Sequence, residues 1–282
     1  MSGISQIRRS SAIEQLLTDG WLTKIDWHSE IDSTNSFLKR QLTEDQLGQF
    51  PNLPQLVVAD QQTMGRGRGQ NAWWSPEGCL MFSLAWKPEP SPSINESDIR
   101  SRLTQLPLIV GVSIASALGR LLMEPSSIKV KWPNDIYVDN KKLGGILIES
   151  VLDSIEPFWI IGVGLNVLVE IASAPEPIRS KATSLHLECS NAAREGLCRE
   201  TILIAIMQHL RHSIECWSAK SDYLESLWPD YCMLTDRWVD IHQTHRRLQG
   251  VCRGIDERGA LLIQDSLGQI HAAVSGEVRA WQ

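Results

Sequence analysis

The chain has 282 residues, of which 43% are hydrophobic and 21% charged, so it can bury a large core. Its formal net charge of -6 argues against a general affinity for nucleic-acid phosphates. No apolar run approaches the roughly 20 residues of a membrane-spanning helix, and the N-terminal segment lacks the pattern of a signal peptide. The six cysteines form no C-x-x-C pair. These features predict a cytoplasmic protein with reduced thiols.

Apolar segments rich in β-branched and aromatic residues recur in the first part of the chain and predict strands. They are 55–59, 79–86, 128–132, 143–151 and 158–168. Helices are predicted at 106–124, where Pro107 suits the first turn and Pro125 ends the pattern, and at 199–217. The D-N-K-K sequence at 139–142 is typical of a hairpin turn, and 87–98 and 171–184 have the composition of loops.

The sequence pattern changes after Pro229. From Asp236 onward, short strand-like segments alternate with glycines and turn sequences, which is typical of a small β-barrel. Helices and strands earlier in the chain do not alternate regularly, which disfavours a doubly wound Rossmann sheet. We therefore predict an α+β catalytic domain at residues 1–234 and a small all-β domain at residues 235–282.

Residues 61–78 combine flexible backbone, fixed positive charge and large aromatic rings. The members are Gly65, Gly67 and Gly69, Arg66 and Arg68, and Trp73 and Trp74. Glycine lets a segment wrap closely around a ligand, and arginine can fork onto carboxylate or phosphate oxygens. The pattern predicts an anion-binding loop that makes few contacts of its own and orders over its ligand, with a tryptophan on a purine ring. The alternative is an Arg/Gly tract that binds RNA; a P-loop is excluded because no Gly-Lys-Ser/Thr follows.

Residues 129–149 place charges and side-chain-free positions on one predicted hairpin. The members are Lys129, Lys131, Asn134, Asp135, Lys142, Gly144 and Gly145. Taken singly, lysines at strand edges are usually solvated and Asn-Asp usually forms a turn. Taken together, they put cations, a carboxylate and a patch of bare backbone within reach of one ligand, which favours a functional site.

Two further segments carry polar groups. Ser33, Thr34 and Asn35 are consecutive small polar residues, of which a helix cap needs only one, so the others can bind a polar ligand. The Gln62 amide offers both a donor and an acceptor. Glycines in the predicted strand G-V-G-L-N-V would let a ligand approach the backbone, where Asn166 could bind an adenine or ribose edge.

In this order, the segments resemble the biotin–protein ligases. The matching segments are D-S-T-N, Q-T-M-G-R-G-R with W-W-S-P-E-G, K-W-P-N-D with K-L-G-G-I-L, and G-V-G-L-N-V. The resemblance spans residues 25–280 and implies a mixed sheet of the biotin/lipoate–protein ligase type followed by a small SH3-like barrel. The family loop commonly reads G-R-G-R-x-G-R, whereas Asn71 stands here in place of a third arginine. Fewer than 35 residues precede D-S-T-N, which is too short for the DNA-binding domain of some members, so no DNA binding is expected.

The resemblance also implies a reaction in two steps. Biotin and ATP give biotinyl-5′-AMP and pyrophosphate, with Mg²⁺, and a lysine of the biotin carboxyl carrier protein of acetyl-CoA carboxylase then displaces AMP. The implied catalytic residues are Arg66, Arg68, Lys142 and Asp135. The implied biotin site comprises Ser33, Thr34, Asn35, Gln62, Arg66, Gly67, Arg68, Lys142 and Gly145. The implied ATP site comprises Arg66, Arg68, Trp73, Lys131, Asn134, Asp135, Lys142 and Asn166.

Several alternatives stay open from the sequence. Asp135 could bind Mg²⁺ or orient the incoming lysine amine. The nearest other activity is that of a lipoate–protein ligase or octanoyltransferase of the related fold. An RNA-binding module and a ligase-like protein without activity are the others, and the chain could act as a monomer or a homodimer without membrane partners.

Overall fold

The computed structural model describes residues 3–44, 52–88, 103–121, 128–151, 158–220 and 222–282. A seven-stranded mixed sheet forms its centre. The strands are β1 (Lys24–Ile31), β2 (Gln55–Gln62), β3 (Cys79–Trp86), β4 (Ile128–Lys131), β5 (Asp135–Val138), β6 (Lys141–Val151) and β7 (Phe158–Asn166). Their order is β1-β2-β3-β7-β6-β5-β4, with β1 parallel to β2 and the other neighbours antiparallel. The predicted α+β class with a mixed sheet is therefore confirmed.

Eight α-helices lie in the described part of the chain. They are α1 (Gly3–Thr18), α2 (Thr34–Glu44), α3 (Leu106–Leu118), α4 (Ile178–Lys181), α5 (Leu185–Glu188), α6 (Asn191–Gly196), α7 (Arg199–Ala219) and α8 (Tyr223–Tyr231). None of these helices has the length and apolar character that crossing a membrane requires. All six cysteines are free thiols, as predicted.

Two sequence predictions need adjustment. The helix predicted at 106–124 ends as an α-helix at Leu118 and continues as one 3₁₀ turn to Leu121, and residues 122–127 lie outside the described part. The prediction of a plain loop at 171–184 was wrong, because this segment contains a 3₁₀ turn and α4. Its end is fixed to the sheet, since the Thr183 N–H donates to the Lys142 carbonyl at 2.9 Å. Most of the predicted loop at 87–98 lies outside the described residues.

The two faces of the central sheet have different chemistry. On one face, Phe82 of β3 and Ile161 of β7 are fully buried and pack in the main core with α3 and α7. Alternate residues point to the opposite face. There α2 covers only part of the sheet, around Leu38 and Ile160. Ser83 and Gly162 lie on this second face, which is left open for a ligand beyond α2.

A buried ion cluster attaches two helices to β2 near the end of this strand. Asp60 is 9% exposed and accepts hydrogen bonds from Arg9 of α1, from Arg199 of α7 at 3.0 Å and from the Trp27 indole at 3.2 Å. A buried carboxylate needs such partners, because its desolvation is costly when it is left unpaired. The cluster fixes the end of β2 two residues before Gln62.

The C-terminal strands form a separate antiparallel sheet. They are β8 (Trp238–His242), β9 (Arg247–Ile255), β10 (Leu261–Gln264), β11 (Ile270–Ala273) and β12 (Glu277–Trp281), in the order β11-β10-β9-β8-β12. A small C-terminal β-unit is therefore confirmed. A closed SH3-like barrel is not found, because no ladder joins β11 to β12 among the described residues. The predicted division after residue 234 falls between α8 and β8.

Buried hydrogen bonds hold the second sheet against the first. The Lys131 ammonium donates to the Val278 carbonyl of β12 at 3.0 Å, and the Trp132 indole donates to the Gly259 carbonyl at 3.1 Å. Both donors come from the K-W-P-N-D segment. The contacts bring β12 and the turn before it to the open face of the central sheet.

Candidate active site

A cavity of about 1060 Å³ lies between the open face of the central sheet, the glycine-arginine loop and the second sheet. Most of the predicted site residues line it. They are Ser33, Thr34, Asn35, Gln62, Arg66, Gly67, Arg68, Trp73, Lys131, Asn134, Asp135, Lys142 and Gly145. Side chains more than a hundred positions apart in sequence therefore face one space.

Asn166 is the predicted site residue that the structure does not place in the cavity wall. Its side chain is 5% exposed, and its amide donates to the Thr183 carbonyl at 2.9 Å. The amide oxygen lies 3.6 Å from the Cys79 sulfur. The amide thus braces the chain after α4, and a contact between Asn166 and an adenylate stays a prediction.

One end of the cavity is a buried polar cluster around Thr34. The Thr34 N–H donates to the Gln62 amide oxygen at 2.7 Å, which fixes the orientation of that amide. The Thr34 hydroxyl lies 3.2 Å from the same oxygen and 2.7 Å from the Ser83 hydroxyl. Ser83 also lies 2.5 Å from the Asn35 amide oxygen. Thr34, Asn35 and Ser83 are each less than 5% exposed.

Counting protons in this cluster shows what it can offer a ligand. The Asn35 amide oxygen can only accept, so the single Ser83 hydroxyl proton goes to it. The Thr34 hydroxyl then donates to Ser83 or to Gln62 and keeps a lone pair that can accept. The Gln62 amide nitrogen has only weak neighbours, the Ser75 hydroxyl at 3.4 Å and the Met81 sulfur at 3.3 Å. The cluster can therefore receive an N–H group and donate to a carbonyl oxygen.

The glycines of G-V-G-L-N-V make room for side chains of the site. A Cβ on Gly162 would lie 2.1 Å from the Asn35 amide oxygen, and a Cβ on Gly164 would lie 2.5 Å from the Trp73 ring. Any larger residue would displace the Asn35 amide or the Trp73 indole. Asn35 and Trp73 use the space that these two glycines leave, and the approach of a ligand to this backbone stays a prediction.

The glycine-arginine loop makes more contacts of its own than we predicted. The Gly67 N–H donates to the Asn71 carbonyl at 2.7 Å, and the Trp73 N–H donates to the Gly65 carbonyl at 2.9 Å. The Asn71 side-chain amide donates to the Arg68 carbonyl at 3.0 Å. The expectation of few internal contacts was wrong, because asparagine and backbone groups close the loop into a turn.

The two loop arginines have different partners. Arg66 donates from both terminal nitrogens to the two oxygens of Glu149, at 3.0 Å each. Arg68 donates to the Gly276 carbonyl of the second sheet at 2.7 Å. Among the described residues, Arg68 has no carboxylate within ion-pair distance. Its charge is therefore less compensated than that of Arg66.

On the hairpin side of the cavity, the Lys142 ammonium lies 2.6 Å from an oxygen of Asp135 and 5.9 Å from the centre of the Trp73 ring. Asp135 pairs across the hairpin with Gly145, where a Cβ would lie 3.4 Å from the ammonium. Asn134 braces the same hairpin, because its amide donates to the Ile146 carbonyl at 2.7 Å. The hairpin thus holds one cation and one carboxylate in contact.

Lys131 is a buried cation at the boundary between the two sheets. It is 8% exposed, and its ammonium lies 4.0 Å from the centre of the Trp281 ring. Burial lowers the pKa of Lys131 to about 8; the nearby Asp135 carboxylate opposes this shift, and the Lys142 ammonium adds to it. Lys131 carries its charge at neutral pH and can lose it in mildly alkaline solution.

Several lining residues were not predicted from the sequence. Glu149, Ser83 and the charged residues Lys181, Glu277 and Arg279 surround the cavity or its polar cluster. A signal existed for Ser83, because it interrupts the apolar strand C-L-M-F-S-L-A-W. Glu149 ends the segment K-L-G-G-I-L-I-E, but no local pattern gives its partner.

Curated relatives match most of the chain. The bifunctional ligase/repressor BirA of Escherichia coli is 29% identical over 252 residues, which is 88% of this chain and 71% of that protein. The protein of the same name from Salmonella typhimurium is 30% identical over 252 residues, with the same coverage.

The family model of the biotin/lipoate A/B protein ligases matches residues 27–166. A biotin protein ligase from Aquifex aeolicus, solved in complex with biotin and ATP, superposes with a TM-score of 0.72 at 27% identity. The match covers 93% of this chain and 99% of that one. Its fold therefore places this chain in the class of protein ligases. The chain belongs to the biotin/lipoate A/B protein ligase family, and the relatives it resembles here are its biotin ligases.

Lys131 gives a prediction for the pH dependence of stability. Its pKa is about 8 in the folded chain, below its ordinary value of 10.5. Between these values the unfolded chain binds more protons than the folded chain, so the free energy of unfolding gains a contribution as pH rises through this window. Urea unfolding should show the wild type gaining stability over Lys131→Met between about pH 8 and about 10.5. If the free energies of unfolding of the wild type and Lys131→Met changed in parallel with pH, the lowered pKa of Lys131 would be contradicted.

Proposed function

We propose that this chain activates biotin with ATP to biotinyl-5′-AMP and transfers the biotin to a lysine of a carrier protein. The acceptor we propose is the biotin carboxyl carrier protein of acetyl-CoA carboxylase, and the place of action is the cytoplasm. The observation that carries the proposal is one cavity lined both by a buried hydrogen-bonding cluster around Thr34 and by cations of the loop, the hairpin and β4. A biotin molecule carries the matching groups, a ureido ring and a carboxylate.

The buried cluster around Thr34 suits a ureido ring. The Thr34 hydroxyl has a lone pair for a ureido N–H, and the Gln62 amide nitrogen can donate to the ureido oxygen. Ser33, also buried, adds a hydroxyl at the same end. A buried site built from hydrogen-bonding groups rejects a ligand that leaves them unpaired.

The same cluster argues against the nearest alternative. A lipoate–protein ligase or octanoyltransferase binds a linear acyl chain whose far end carries no N–H or carbonyl group. Such a chain would leave the remaining Thr34 lone pair unused and the Gln62 amide nitrogen with only its weak neighbours, in a region where Thr34 is only 4% exposed. The cavity chemistry therefore favours biotin over a fatty acyl group.

The first step must bring a carboxylate to a polyphosphate, and two anions repel strongly in a space that excludes water. Arg68, Lys142 and Lys131 are the cations that we assign to this task, since their charges face the cavity from the loop, the hairpin and the strand. Trp73 offers a flat surface for the adenine beside Lys142. Arg66 contributes backbone and side-chain contacts from the loop.

Mg²⁺ fits this site only as an ion held mainly by the nucleotide. Within the described ranges, no three His, Cys, Asp or Glu side chains form a metal-binding group. Mg²⁺ commonly uses one or two carboxylates together with substrate phosphates, and Asp135 can supply one of them. The ion would add positive charge at the phosphates. For the second step, we assign the same carboxylate the role of orienting the incoming lysine amine by accepting a hydrogen bond from it.

A transfer assay tests the function directly. Labelled biotin, ATP and a purified biotin carboxyl carrier domain should give a labelled carrier, and omission of ATP should abolish the label. Parallel reactions with labelled lipoate and octanoate serve as the comparison. Transfer of lipoate or octanoate instead of biotin would establish the alternative activity, and retention of RNA without any transfer would establish the binding module.

Replacing Arg68 tests the loop as a cover for the intermediate. Arg68→Gly removes the bond to the Gly276 carbonyl, so biotinyl-5′-AMP should escape and label lysines of a bystander protein such as serum albumin. Arg68→Lys keeps the charge but loses the forked geometry, and should give an intermediate degree of escape. Bystander labelling no higher than that of the wild type would show that Arg68 does not retain the intermediate.

Replacing Lys142 tests charge neutralisation in the first step. Lys142→Ala should slow pyrophosphate release by roughly a hundredfold or more, because a preorganised charge at the reacting atoms is lost. The matched control is Lys141→Ala, which removes an exposed ammonium one position earlier on the same strand and outside the cavity lining. An unchanged rate in Lys142→Ala would remove Lys142 from the catalytic set.

A further inference from the structure

We propose that Glu149 is a positioning residue that holds the glycine-arginine loop over the cavity before any ligand binds, and that it connects this loop to the polar cluster around Thr34. The inference adds a residue to the site described above. The connection to biotin rests on the proposed function, whereas the anchoring of the loop does not.

The contacts of Glu149 are directed and shared between two parts of the site. Its carboxylate accepts two parallel hydrogen bonds from Arg66, at 3.0 Å each, in the forked geometry of a strong arginine–carboxylate pair. One of the same oxygens accepts a bond from the Asn35 amide nitrogen at 2.8 Å. The side chain of Glu149 is 21% exposed and that of Arg66 is 44% exposed. The pair is therefore partly shielded from water.

The Asn35 amide has one orientation in this arrangement. A carboxylate can only accept, so the amide nitrogen must face Glu149. The amide oxygen then faces Ser83, whose proton it accepts at 2.5 Å. Gly162 leaves the space that this amide occupies, since a Cβ there would lie 2.1 Å from the amide oxygen. The hydrogen bonds thus run without interruption from Arg66 through Glu149, Asn35 and Ser83 to Thr34.

The pairing changes the task of Arg66. Its charge is compensated by Glu149, so Arg66 anchors the loop, and the collection of ligand anions is left to Arg68 and the lysines. In the absence of a ligand, the anion that pairs with Arg66 is therefore the Glu149 carboxylate. This arrangement holds the loop at the cavity wall, and Asn71 adds a bond within the loop at the position where the family resemblance implies a third arginine.

A ligand at Thr34 should strengthen the anchor. An N–H donated to the Thr34 hydroxyl makes that hydroxyl a better donor to its own acceptor, because hydrogen bonds in a chain polarise one another. Ser83 is the nearer acceptor of the Thr34 hydroxyl, at 2.7 Å against 3.2 Å for Gln62, so the effect passes through Ser83 to Asn35. Occupation of the polar cluster should therefore slow the opening of the loop.

Trypsin provides a readout that needs no ligand and no activity, because it cleaves after Arg66 and Arg68 only when the loop opens. Glu149→Gln keeps the shape of the side chain and removes the charge. Its loop should be cleaved about three to ten times faster than that of the wild type, a modest factor because the pair is partly exposed. Mass spectrometry identifies fragments that end at either arginine. The matched control is Asp19→Asn, which removes a carboxylate partner of Arg211 far from the cavity and should leave loop cleavage unchanged.

Equal cleavage rates in the wild type and Glu149→Gln would overturn the proposal. Should Glu149→Gln fail to fold, Glu149→Asp replaces it, since a side chain shorter by one methylene cannot reach both Arg66 and Asn35. Addition of biotin should slow cleavage of the wild-type loop but slow it less in Glu149→Gln, and equal slowing in both would overturn the connection to Thr34. Faster cleavage in Glu149→Gln without any biotin effect in the wild type would support the anchor and count against the proposed function.

Discussion

Like-charge repulsion is the constraint on which this site depends. A carboxylate and a triphosphate approach each other only where fixed positive charge is present, and a buried cation is itself costly unless a partner holds it. The structure meets both demands by giving each cation a specific neighbour. Lys142 has Asp135, Arg66 has Glu149, and Lys131 and Arg68 have neutral backbone carbonyls. Neutral partners orient a cation without cancelling its charge, so Lys131 and Arg68 keep the most charge for a ligand.

The second sheet supplies the neutral partners of two of these cations. Its carbonyls at Val278 and Gly276 accept from Lys131 and Arg68, and the Trp281 ring lies over the Lys131 ammonium. Burial under this sheet lowers the pKa of Lys131 to about 8. A C-terminal unit that looked separable in the sequence therefore sets the position and the protonation of groups on the first sheet. The site is complete only where the two sheets meet.

The sequence was sufficient for the reactive groups and insufficient for their partners. The reactive groups could be found because their residue types and their order along the chain can be read directly from the sequence. They are the loop arginines, Lys142 and the small polar residues. The pairing of Arg66 with Glu149 joins positions 83 residues apart, and it depends on how the loop crosses β6. The burial of Lys131 likewise depends on β12, which comes about 150 positions later in the chain. The sequence also did not indicate that the Asn166 amide donates to the Thr183 carbonyl, because a polar residue on a glycine-rich strand does not reveal its partner.

The departure of the loop from the usual family pattern has a physical explanation in these contacts. A third arginine would add charge at the loop, whereas Asn71 adds a turn: its side chain donates to the Arg68 carbonyl, and its own carbonyl accepts from Gly67. With the backbone closed in this way, the two remaining arginines can be divided between anchoring and anion binding. The loop then depends on geometry at Asn71 and on the Glu149 carboxylate for its position, and on Arg68 for its charge. Local hydrogen bonds at Asn71 thus shape the loop without a further positive charge, which avoids additional repulsion between cations when no anion is present.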